Sequence, residues 1–364
     1  FPVLQLCWYV SGRFRYIVTT LFSQSGTTVS PPTLNMRYLF NVRFLFVFCV
    51  ALIPLATILY FRGESGTHIL PQLKEMWGGP PAEKDITMVM AYYNLGSVVK
   101  TLGEHTRTKA DYLEWAEFYQ WLENPMVIYS DDAEFLQRMR VLRQNFTDRT
   151  LFLDIGEEEP LWSLGLEPAI ADIFADPNYP KYSPETVVPK YSCAMHSKYE
   201  LVARVVQQNP FNTPYFGWCD VGEFREVKTK GKYYRVSLPP LFDDSRVAMS
   251  KVFDMDTKLT PRDVIDTAKV WIAGGFFLGN GGLLTRLYRQ YRVFTDRFVA
   301  DRTMGSDEQV FYMMYLPQNR PNTSVPLQLY WSQGACNLWF YLGFISIRDI
   351  CTQLKAIEFI DPGT

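Results

Sequence analysis

The sequence predicts an α/β domain built on a mostly parallel sheet flanked by helices, preceded by a single N-terminal transmembrane helix. Three observations carry that expectation. Short β-compatible runs ending on carboxylates or glycines alternate with stretches of helical spacing over residues 85–350, as in sheets made of strand–helix–strand units. Residues 44–61, FLFVFCVALIPLATILYF, carry no charge and come close to the ~20 residues that cross a bilayer. Of the 364 residues, 48% are hydrophobic and 16% aromatic, which supplies a sizeable core and excludes a largely disordered chain. The formal net charge of -2 leaves no basic footprint, which argues against nucleic acid as a partner.

In chain order, residues 1–43 read as a cytosolic segment, 44–61 as a signal anchor, 62–84 as a Gly- and Pro-containing stem, 85–350 as a lumenal domain and 351–364 as a C-terminal tail. Every charged residue before the anchor is an arginine (Arg13, Arg15, Arg37, Arg43), while Glu64, Glu75 and Glu83 follow it. The positive-inside rule therefore leaves the N-terminus in the cytosol. A cleaved secretory signal is the alternative, but the run is long for one and YFRGE is a poor cleavage site. The chain begins with Phe1, and a natural start at Met36 would leave MRYLFNVR as a short cytosolic tail. A short anchor suits a thin bilayer, which points to the Golgi. Asn145 and Asn322 head N-x-S/T acceptors for N-glycans, whereas Asn212 precedes Thr-Pro. Of the cysteines in this oxidising setting, Cys336 and Cys351 are the first pair to expect because they share the C-terminal segment; Cys219 reads equally well as a buried free thiol. No spacing resembles a zinc site.

Within the domain, DITMVMAYY from Asp85 is a strand ending at Asn94 and Gly96. From Thr106, Tyr112, Trp115, Tyr119 and Leu122 fall at helical spacing until Asn124 and Pro125. MVIYSDD is a second strand, residues 133–145 a helix and TLFLDI a third strand. ADPNYPKYSPETVVPKYS, with four prolines, is an extended surface loop. Met195, Tyr199, Val202 and Val206 mark a helix that carries Lys198 and leads into the strand before Asp220. AKVWIAGGFFLGNGG is a buried strand broken by Gly274 and Gly275, followed by a basic helix and then by MGSDEQVFYMMYLPQ.

Two constellations carry candidate chemistry. YFGWCDVGEFR ends a strand on Asp220, where open α/β sheets bind ligands. A carboxylate there holds a divalent cation whose shell is completed by water and phosphates, and Gly222 admits close approach of a ligand. Equally, Asp220 serves a turn and Gly222 takes a positive φ. In GSDEQ, Ser306 and Gln309 form a capping box and Asp307 and Glu308 suit the helix dipole. A carboxylate on a first helical turn facing a pocket is also a general base. Paired glycines in a buried strand signal a bulge or a close approach.

The ordered set MVMAYYNLG, VIYSDD, the proline-rich loop, the helix with Lys198, WCDVGEFR, WIAGGFFLGN and GSDEQVFY resembles the HtrL/YibB family, which is similar in organisation to GT-A glycosyltransferases. The resemblance covers residues 86–317 and implies a GT-A-like (Rossmann-like) sheet. It implies that Tyr92 and Asn94 border the nucleotide, that Asp131 lies near the base or ribose, and that Asp220 takes the place of the metal-binding D-x-D. Gly274 and Gly275 would wall the acceptor side, with Asp307 or Glu308 facing the acceptor hydroxyl. The second acid of the motif is replaced by Gly222, so Glu223 stands in for it or Lys198 and Arg225 neutralise the diphosphate. The expected function is a type II membrane glycosyltransferase using a nucleotide-sugar donor, with Mn2+ or Mg2+, on a glycan or other hydroxyl acceptor. A non-catalytic, membrane-anchored carbohydrate-binding protein on a degenerate transferase fold is the alternative, and a metal-dependent hydrolase a third.

Overall fold

The structure is a computed structural model in which residues 85–100, 106–229, 231–332, 336–349, 351 and 356–363 are described. The expected anchor at 44–61 and the stem at 62–84 lie outside the described residues. Among the described residues no helix is long and apolar enough to cross a membrane.

In chain order the elements are β1 (Ile86–Tyr92), α1 (Lys109–Ala116), β2 (Met126–Ser130), α2 (Ala133–Leu142), β3 (Thr150–Asp154), α3 (Glu167–Ala175), α4 (Pro189–Gln208), β4 (Tyr215–Cys219), β5 (Val247–Lys251), α5 (Pro261–Asp266), β6 (Ile272–Asn280), α6 (Gly281–Ala300), α7 (Asp307–Tyr315), β7 (Leu327–Trp331), α8 (Tyr341–Ile347) and β8 (Ala356–Ile360). The strands form one eight-stranded sheet in the order β3-β2-β1-β4-β6-β5-β7-β8. β1 pairs in parallel with both β2 and β4, β2 with β3, and β5 with β7; only β6 and β8 run against the rest. This is the mixed α/β, mostly parallel sheet that the alternation predicted. Helices cover both faces, so β1 is buried at every residue but Ala91 and reads as an apolar run interrupted only by Thr87: Met88 and Met90 join one core and Val89 the other.

The connections fix where a ligand binds. From β1 the chain winds outward through β2 to β3, then returns to lay β4 on the opposite side of β1. The two connections leave the carboxyl ends of β1 and β4 in opposite directions and open a crevice there. α4, which delivers β4, starts with Pro189 at its first turn and stops at Asn209 in the left-handed region at φ 40. It is buried nearly all round, which is why its polar residues His196, Ser197, Lys198 and Glu200 break the apolar spacing without breaking the helix.

Three expectations need correction. The helix expected to run from Thr106 to Leu122 is shorter: Thr106–Arg107 pairs with Val98–Val99 as a small ribbon, and Thr108 caps α1 through a capping box with Asp111. Its far end tightens into a 3-10 helix, Glu117–Trp121, which keeps the helical spacing of Tyr119 and Leu122 legible but misleading. Residues 351–364 are not merely a tail, because β8 adds an edge strand to β7 and Lys251 Nζ meets Glu358 Oε2 at 2.6 Å. Five residues with one charge among them show too little alternation to announce a strand. Gly222 has no positive φ; its need for glycine is steric, as described below. The expected Cys336–Cys351 disulfide is present, and Cys193 and Cys219 are buried free thiols.

Candidate active site

Asp220 is the first residue after β4, at the mouth of the crevice. Its main chain is held from two sides, the amide donating to Gly275 O at 2.8 Å and the carbonyl accepting from Tyr119 Oη at 2.8 Å. Its side chain is not spent on a turn. Oδ1 accepts from Trp218 Nε1 at 2.7 Å and faces Lys198 Nζ at 3.3 Å, and the carboxylate stays 40% exposed. After it the chain turns, with Glu223 N donating to Asp220 O at 3.0 Å. A Cβ on Gly222 would stand 2.8 Å from Trp115 Cε3 and 3.0 Å from Arg225 Nη1. The close neighbour that demands glycine is therefore the protein's own indole.

The paired glycines of β6 have the same kind of cause. At this point β6 leaves β5: Met249 pairs with Phe277, but the next residue, Ser250, pairs with Ala273. Adjacent strand residues face opposite sides of a sheet, and each glycine admits a carboxylate from its own side. A Cβ on Gly274 would lie 2.3 Å from Asp307 Oδ2, and one on Gly275 2.9 Å from Glu223 Oε2 and 3.5 Å from Asp220 Oδ2. Lys198 links the two sides. Its ammonium lies 3.1 Å from Asp307 Oδ2 and 3.3 Å from Asp220 Oδ1, and donates to Gly274 O at 3.0 Å. Burial pulls its pKa down, but the charges of Asp220, Asp307 and Glu308 outweigh burial and hold it above the usual lysine range.

α7 begins where the capping box placed it, with Ser306 and Gln309 bonding each other's main chain. Its two acids diverge. Asp307 is buried, paired with Lys198, and accepts from Tyr199 Oη at 3.2 Å. Glu308 is partly exposed to the cavity and accepts from Gly274 N at 3.1 Å. Burial first, then the charge of Asp307, pushes its pKa up to about 7. That is the range in which a carboxylate works as a general base at neutral pH.

These groups line a cavity of about 750 Å3 that includes Lys198, Asp220, Gly275, Asp307 and Glu308, within the size of small-molecule sites. A smaller recess of about 90 Å3 adjoins it at Asp220 and reaches Tyr92 and Tyr93 at the end of β1. Of the residues singled out from the sequence, Asp220, Lys198, Arg225, Gly275, Asp307 and Glu308 line the large cavity, and Gly222 and Tyr92 the recess. Gly274 lies behind the wall, covered by Asp307. Asn94 and Asp131 are exposed and bound to each other, Asn94 N donating to Asp131 Oδ1 at 2.7 Å, outside both cavity linings. Sequence reading missed Arg107, Trp115 and Trp339, which lie far from Asp220 in the chain and share no motif with it.

Residues 84–323 match the family described as "Bacterial protein of unknown function (HtrL_YibB)". The chain belongs to the HtrL/YibB family. The matched span includes every residue of the cavity wall except Trp339, so the HtrL/YibB region contains the crevice, Lys198 and both acids of α7. A comparison with curated proteins finds no match. Among solved structures the chain is similar to Core-mannan synthase A (CmsA/Ktr4) from Aspergillus fumigatus in its Mn/GDP form, at 11% identity and TM-score 0.35, over 70% of this chain and 74% of that one.

The donors at this HtrL/YibB crevice do not make a resident metal site by themselves. Among the described residues no three His, Cys, Asp or Glu side chains come together to hold an ion. Asp220 Oδ1 is committed to Trp218 and Lys198. Glu223, the nearest further acid, is buried with neither carboxyl oxygen hydrogen-bonded, and burial, then Asp220, drives its pKa well above the usual carboxylate range. A cation bound there would have to displace the proton of that acid.

Proposed function

We propose that the HtrL/YibB domain is a glycosyltransferase that moves a sugar from a nucleotide-sugar donor to a hydroxyl of a glycan or similar acceptor. The observation that carries this reading is the large cavity at the switch point between β1 and β4, lined by Lys100, Arg107, Lys198 and Arg225 together with Glu308. The sheet order with a single reversed strand among its central members supports the GT-A-like assignment expected from the motif order. The donor's nucleotide lies toward the recess at Tyr92, and the sugar beside Asp220. Glu308 takes the proton of the attacking hydroxyl, and the leaving diphosphate gains negative charge that the cationic wall stabilises. Asp307 is a positioning residue that holds Lys198 rather than the base itself. Tyr182 and Trp339, also in the wall, offer faces for sugars.

The full protein is a type II membrane protein anchored by residues 44–61 with this domain in the Golgi lumen. Asn145 and Asn322 are exposed, as glycan acceptors must be. Endoglycosidase treatment of protein from a secretory host should increase its mobility, and an unchanged band would speak against a lumenal domain. A binding-only protein is the second reading, favoured by the way Lys198 already neutralises Asp220 and Asp307. Incubating the full chain with a panel of nucleotide sugars separates the two. Turnover that falls at least ~100-fold in Glu308→Gln, with nucleotide affinity retained, is expected; glycan binding without any nucleotide binding would favour the second reading.

A further inference from the structure

We propose that Arg107 and Arg225, braced on Trp115, bind the diphosphate of the donor in the place where a second carboxylate would otherwise recruit a cation. This rests on the donor reading above. The first support is the space at position 222. An acid there would collide with the Trp115 ring and the Arg225 guanidinium, so the room of the missing side chain is filled by this pair.

The second is the way Arg225 is held. Its guanidinium carbon lies 5.1 Å from the Trp115 ring centre and 4.2 Å from that of Phe340, and Nη1 donates to Gly222 O at 3.0 Å. Aromatic faces and one carbonyl orient the planar fork without any carboxylate consuming it. The third is its neighbour. Arg107 stands 5.7 Å from the same indole. Among the described residues neither guanidinium has a carboxylate partner. Burial lowers the pKa of Arg225, and the charge of Arg107 lowers it further. The charges of Glu223, Glu226 and Asp220 act the other way, but no carboxylate is bonded to either guanidinium among the described residues, so both forks are free to take an anion, and guanidinium forks match phosphate oxygens in pairs.

Their position fits the same group. Arg107 and Arg225 line both the cavity and the recess, with Asp220, so they stand where the nucleotide end meets the sugar end. Other cations of the wall are occupied. The three ammonium donors of Lys198 face Asp220, Asp307 and Gly274 O, and Lys100 is paired with Glu185 and Tyr191.

The test is calorimetric titration of the full chain in EDTA with inorganic pyrophosphate, UDP, GDP and the phosphate-free nucleosides. Pyrophosphate and at least one nucleoside diphosphate should bind, and Arg225→Gln and Arg107→Gln should each weaken them at least tenfold without changing nucleoside affinity. Gly222→Asp should weaken pyrophosphate as well, because the added acid displaces Trp115 and repels the anion. Wild-type affinity in both arginine variants, or binding that appears only with Mn2+ and is indifferent to Arg225→Gln, overturns the proposal even if sugar transfer is found. Pyrophosphate binding that Arg225→Gln abolishes, in a chain that turns over no nucleotide sugar, sustains the anion site and overturns the donor reading alone.

Discussion

Lys198 is the residue on which the two sides of the site depend. Replacing it with methionine leaves Asp307 buried without its partner, and removing one member of a buried ion pair costs roughly 3–5 kcal/mol. Lys198→Met should therefore lower the melting temperature sharply, and Lys198→Met/Asp307→Asn should recover part of the loss. Glu223 gives a pH signature of the opposite kind. Its pKa is raised in the folded state above an ordinary value of 4.5, so between that value and the folded pKa the native state holds a proton that the unfolded chain releases. Stability then falls as pH rises through this window. Glu223→Gln, which cannot ionise, should melt higher than wild type at pH 7 to 8, with a gap that closes toward pH 4. Equal melting curves across that range would show that the carboxyl is ionised in place. Very little of this was legible in the sequence. Asp220 and the α7 acids announced themselves as strand-end and helix-start carboxylates, whereas the burial of Glu223 follows from Gly275 and Gly343, more than fifty residues downstream.

Among the elements, the segment between Cys336 and Cys351 does more than end the chain. It carries Trp339 in the cavity wall, Phe340 on Arg225 and Gly343 over Glu223. A cross-link closing a loop of about 15 residues is worth ~3 kcal/mol, so Cys336→Ser/Cys351→Ser should lower stability by that order. It should also weaken pyrophosphate binding, since Phe340 loses its tether; unaltered binding would show that Trp115 and Gly222 O hold Arg225 without Phe340. The start of α7 was legible because it is encoded locally, by Ser306 and Gln309 three residues apart. α4 was legible only in part, since a helix buried on nearly every face has no polar stripe to mark its limits.

At the scale of the whole molecule, alternation of strands and helices was enough to predict a mostly parallel sheet, but not its order. Nothing local in Val247–Lys251 or Ala356–Ile360 records that one lies between β6 and β7 and the other at the edge. The switch point follows from that order, and so does the meeting of Asp220 with the acids of α7 and with Arg107. The molecule that results gathers cationic side chains in one cavity with a carboxylate whose pKa is pushed up to about 7 by burial and by Asp307. If Glu308 is the base, turnover should climb with pH through about 7 and level off above it. The most direct test is the pH profile of nucleotide-sugar turnover by the full chain and by Glu308→Gln. The expected result is a rise through neutrality in the wild type and a loss of at least ~100-fold in the variant at every pH, with nucleoside diphosphate affinity unchanged; wild-type turnover in Glu308→Gln, or no turnover of any nucleotide sugar by the intact protein, would contradict it.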